Sequence, residues 1–90
     1  MRAVISVLGM DRPGIIAKVS AVLYECNVNI LDIDQTVLRD ELFAMTMLAD
    51  LREMNTSFEA LKQKLDTVST RIGMQIKLQR EEIFKSMHNV

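Results

Sequence analysis

The chain has 90 residues, 49% of them hydrophobic and 26% charged, and eleven Lys and Arg against twelve Asp and Glu give a formal net charge of −1. That length holds one compact domain burying roughly 60–68% of its unfolded surface, which excludes a large enzyme with its own substrate domain. The charge balance supplies no long-range positive field to gather nucleic acid or anionic lipid, and a single cysteine cannot close an internal disulfide, which fits a reducing interior.

Met1-Arg2-Ala3-Val4 leads straight into a strand pattern with no signal-peptide pattern, and no apolar run approaches the ~20 residues that span a bilayer. A cytoplasmic location is therefore expected. Val4 to Met10 is apolar apart from Ser6 and reads as a buried central strand. The loop Gly9-Met10-Asp11-Arg12-Pro13-Gly14 follows. In it Asp11 is expected to cap the next helix, with Pro13 in its first turn. Ile15, Val19, Val22 and Cys26, widened by Ile16 and Leu23, give an amphipathic helix of about three turns, and Asn27 is a left-handed stop for it.

Val28 to Arg39 changes to period two. Asn29, Leu31, Ile33 and Val37 are expected on one face, and Ile30, Asp32, Asp34, Thr36 and Leu38 on the other. Asp40 marks a turn into a dense apolar strand, Leu42 to Ala49, completing a β-hairpin. Thr56 followed by Glu59 reads as a capping box. Phe58, Leu61, Leu65, Val68 and Ile72 form the stripe of a second helix that Gly73 ends. Met74, Ile76 and Leu78 alternate with Gln75, Lys77 and Gln79 as a last strand. The order β-α-β-β-α-β predicts an α+β, ferredoxin-like sandwich: a four-stranded antiparallel sheet in the order 4-1-3-2 with both helices on one face. Residues 1–80 are expected to form this domain, and 81–90 a helical tail carrying Ile83, Phe84 and Met87.

In the third strand both faces are apolar: Phe43, Met45, Met47 and Ala49 on one, Leu42, Ala44 and Leu48 on the other, with only Thr46 polar. Helices on one side cover one face only. The other is then covered by the tail or by another copy, and a homodimer or higher oligomer is the favoured expectation.

Asp11-Arg12-Pro13-Gly14-Ile15, then Asn27-Val28-Asn29-Ile30, and the tail Glu82-Ile83-Phe84-Lys85-Ser86-Met87-His88 together resemble the ACT domain family. They are most similar to its stand-alone, single-domain members of the UPF0237 type, and the first loop is also similar to ACT modules of glycine-cleavage repressors. The resemblance implies a small regulatory module that binds an amino acid or similar effector between subunits, with no cofactor and no catalysis. It implicates Asp11, Arg12, Pro13 and Gly14 of one subunit, with Asn29 and Ile30 across the interface. Family members often carry Asn where Asp11 stands; the added charge favours an ammonium and opposes a carboxylate.

The loop's chemistry agrees with that role. A helix start offers free N–H donors to a carboxylate, Gly14 permits close approach, and Asp11 and Asn29 accept from an ammonium or amide. The plainer reading is a turn with local caps. An alternative function is a ligand-independent protein–protein adaptor, with the tail as its docking element. Asp32 and Asp34 read as solvated edge charges rather than metal ligands, Cys26 as a small core residue rather than a partner of His88, and Arg12 lacks the glycine-rich phosphate loop of acylphosphatases. Only Phe43 among the aromatics falls on a central strand, which argues against base stacking and direct nucleic-acid binding.

Overall fold

The computed structural model describes residues 1–88. In chain order it contains β1 (Arg2–Met10), α1 (Ile15–Glu25), β2 (Asn29–Leu38), β3 (Leu42–Asp50), α2 (Phe58–Ile72), β4 (Gln75–Arg80) and α3 (Glu81–His88). All strand pairs are antiparallel and the sheet order is β2-β3-β1-β4, the expected order read from its other edge. The tail is helical through His88; its last two residues lie outside the described residues.

The core lies between the sheet and the first two helices. Ala3, Ile5 and Val7 of β1 and Phe43, Met45 and Met47 of β3 are buried. They pack with Ile15, Val19 and Leu23 of α1 and with Leu61, Leu65 and Ile72 of α2, the stripes that helical spacing puts on one face. Cys26 is buried in the same cluster, as its place on the stripe implies.

Local signals act at slightly different residues from those expected. The cap of α1 is Gly14 at φ 87°, with no side-chain cap, so Asp11 does not cap it and Pro13 lies in the turn before it. A residue held left-handed ends the loop, and glycine takes that conformation without a Cβ clash. Asn27, at φ 59°, stops α1 as expected. The cap of α2 is Ser57 rather than Thr56: Ser57 is extended and its hydroxyl accepts from the Ala60 N–H at 3.1 Å. The capping box therefore does not form at Thr56. Gly73, at φ 69°, ends α2.

The face assignment of β2 also needs correction. Ile30 pairs with Ala49 but Asp32 pairs with Leu48, so Leu31 is an extra residue in a β-bulge. A bulge reverses the side-chain alternation. Asn29 thus shares a face with Asp32 and Asp34, while Ile30 shares the helix side with Ile33 and Val37.

α3 crosses to the sheet face opposite α1 and α2, against β1 and β4. Arg2 pins it: Nε and Nη2 reach the two Glu81 carboxylate oxygens at 2.9 and 2.8 Å. Val4 is buried on this side, and Phe84 is half-buried beside Ser6 and Leu8. The tail covers only half of the face: over β2 and β3, Leu38 stays 49% exposed, as does Met10 at the end of β1 at 53%.

Candidate functional site

Two strand rows define the ends of the sheet. Met10, Leu42 and Leu38 pair across one end, and Arg2, Asp50 and Asn29 across the other. The loop Asp11–Gly14 continues from the first end, and the Asp11 N–H donates to the Glu41 carbonyl at 2.7 Å, tying the loop to the β2–β3 turn. Asp11, Arg12, Pro13 and Gly14 are all exposed. The fold therefore groups these four and sets them a full strand length from Asn29 and Ile30, roughly 25–30 Å at strand rise.

The first turn of α1 has no side-chain cap, so its leading N–H groups are open to an anion at the positive end of the helix dipole. Arg12 has a local role as well: its Nη2 lies 3.8 Å from where a Cβ on Gly73 would stand, at the C-terminus of α2. A cation there complements the negative end of that helix.

Asn29 lines a polar cleft of about 610 Å³ with Tyr24, Asn27, Asp50, Arg52 and Glu53. Its walls are fixed by reciprocal asparagine contacts. Asn27 Nδ2 donates to the Glu53 carbonyl at 2.8 Å, and Asn55 Nδ2 donates to the Glu25 carbonyl at 2.9 Å. These bonds clamp the end of α1 to the β3–α2 loop. Arg52 donates Nε to Asp50 Oδ2 at 2.9 Å, and its backbone N–H reaches Asp50 Oδ1 at 3.0 Å. The backbone bond, with the guanidinium adding to it, holds the Asp50 carboxyl below its usual range against the opposing effect of desolvation.

The sequence singles out Asn29 but not Arg52, Glu53 or Asn55, which come beside it only when distant segments meet in the folded chain. Beside the cleft, Ala17, Ser20, Ala21 and Ile30 line a shallow groove between α1 and the β2 edge. Asp32 and Asp34 lie on the opposite sheet face, where Asp32 Oδ1 accepts the Ile33 N–H at 2.9 Å. Among the described residues no group of three or more His, Cys, Asp or Glu is arranged to hold a metal ion.

The βαββαβ order, with one four-stranded antiparallel sheet, is a ferredoxin-like fold. The chain matches the model of the ACT domain over residues 2–79. It is 49% identical over 89 residues to a UPF0237 protein of Methanopyrus kandleri, covering 99% of this chain and 98% of that one. Its fold superposes on an ACT domain protein from Streptococcus pneumoniae with a TM-score of 0.80, at 35% identity and covering 94% of each chain. It is also similar to the ligand-free regulatory subunit of aspartate kinase from Thermus thermophilus, with a TM-score of 0.67, 26% identity, and coverage of 87% of this chain and 50% of that one. The chain belongs to the ACT domain family.

Proposed function

We propose that the chain works as a homodimeric regulatory module, not an enzyme, that senses an amino acid or similar small metabolite in the cytoplasm. The observation that carries this reading is the placement of Asp11–Gly14 and of Asn29 and Ile30 at opposite ends of one sheet. Antiparallel pairing of two β2 edges puts the Asn29 end of one copy beside the Leu38 end of the other, next to its first loop. β2 is an edge strand, and exposed Ile33 and Val37 lie on its helix side. Ala17 and Ala21 of α1 let a second copy approach closely. Such an edge is stable only when paired, covered or blunted.

In the composite site, the uncapped start of α1 receives a carboxylate, while Asp11 and the partner's Asn29 accept from an ammonium. Ligand binding favours one dimer geometry and so shifts a population. Sedimentation at micromolar concentration followed by calorimetric titration with the twenty amino acids tests this. A dimer with saturable heat for one of them is expected. A lone protomer, or a dimer silent to all twenty, overturns ligand sensing.

A second reading, a ligand-independent adaptor, is favoured by one observation: the apolar half of the sheet that α3 leaves uncovered.

A further inference from the structure

The sheet face carrying α3 already shows what it accepts. An amphipathic helix lies along β1 and β4, with Phe84 turned into a cleft beside Leu8. The remaining strip, over β2 and β3, is about 10 Å across at ordinary strand spacing, the diameter of one helix. Its chemistry is graded along the strands. At one end Leu38 of β2 and Met10, where β1 meets β3, are 49% and 53% exposed, around half-buried Leu42. Toward the other end Asp32 and Asp34 are exposed on the same face. Neither β2 nor β3 carries a lysine or arginine, and Arg2 on β1 is engaged by Glu81.

We propose that this strip is a docking groove for an amphipathic, lysine- or arginine-bearing helix of another protein, lying side by side with α3. The apolar end receives the helix's apolar stripe, and Asp32 and Asp34 receive its cations. From Leu38 to Asp32 the groove runs about 20 Å, which about 13 helical residues span. A second copy of this chain fits poorly: it would bring its own Asp32 and Asp34, or an α3 whose first turn is Glu81 and Glu82, onto an acidic surface. The proposal gives the adaptor reading a partner and holds whether or not an amino acid binds.

A labelled amphipathic peptide of leucine and lysine, about fourteen residues long, is the probe, with a leucine–glutamate peptide of the same pattern as control. Fluorescence anisotropy is expected to show saturable binding of the lysine peptide alone. Backbone amide shifts are expected at Met10, Asp34, Leu38 and Leu42, and not at Ala21 or Tyr24 on α1. The pair Asp32→Lys and Asp34→Lys, and separately Leu38→Ser, are expected to weaken binding at least about tenfold with unchanged circular dichroism. Equal binding of the glutamate peptide, shifts confined to α1, or no effect of either variant overturns the proposal. A drop in oligomeric mass in Leu38→Ser also overturns it, because a second copy then occupies the strip. Loss of amino-acid binding without loss of peptide binding counts against the sensing role alone.

Discussion

Arg52 closes a small ring on Asp50, its backbone N–H on one carboxylate oxygen at 3.0 Å and its Nε on the other at 2.9 Å. The ring braces the end of β3 where the polar cleft opens. Because it lowers the Asp50 pKa from its ordinary value of 3.8, its stabilisation is fully present above that value and is lost as the pH falls through the depressed one. Asp50→Asn is therefore expected to lower the melting temperature by a few degrees near neutrality, in keeping with an exposed pair. The gap between variant and parent should narrow as the pH falls below 3.8. Thermal melts of both proteins from pH 7 to pH 2.5 check this. A gap that widens in acid contradicts it.

The two candidate caps separate stability from binding. Ser57→Ala removes the hydroxyl that accepts from Ala60 and is expected to cost about 1 kcal/mol. Asp11→Ala removes no side-chain bond and is expected to leave the denaturation midpoint within error while reducing amino-acid binding. Urea unfolding of both, with calorimetry on the second, distinguishes the roles.

Gly9 lies so close to α2's exit that a Cβ there would come 2.6 Å from the Met74 sulfur and 3.4 Å from its Cα. Gly9→Ala is expected to cost about 1–3 kcal/mol through overpacking. Met74→Ala alone should cost about 2–5 kcal/mol as a cavity. The double variant should be less destabilised than the sum, since each change supplies what the other lacks. Chemical denaturation of the four proteins completes the cycle; strict additivity contradicts the contact.

Ile33 is exposed on the β2 edge and pairs with buried Met47. Ile33→Lys adds a charge to that edge and is expected to leave the protomer folded while shifting the dimer toward half mass. Sedimentation with parallel circular dichroism reads both. Under the proposed function each site is built from two copies, so amino-acid binding is expected to fall with the dimer.

The elements were legible because burial writes its period directly into the chain. Ile15-Val19-Val22 and Leu61-Leu65-Val68-Ile72 carry the helical period, and the alternation through Phe43, Met45 and Met47 carries that of a strand. The strand order follows from the β-α-β-β-α-β order, whereas the place of α3 over β1 and β4 shows only in the folded chain. What escaped depends on contacts between distant segments. The bulge at Leu31 is fixed by how β2 meets Leu48 and Ala49, and nothing local in Asn29–Leu38 signals it. Thr56 and Ser57 are adjacent hydroxyls, and only the backbone turn decides which one caps. The first loop of the candidate site was readable because it is contiguous. Arg52 and Asn55 were not, because α1 and the β3–α2 loop become neighbours only on folding.

The tie between Asp11 and Glu41 at one pole of the sheet, with Asn29 at the other, has a mass-action consequence. Under the proposed function a lone copy holds two unmatched half-sites, and the signal requires an encounter. Its strength then scales with abundance squared when copies are scarce, and only in proportion to abundance once most have found a mate. Such a sensor reports its own supply as well as its effector's.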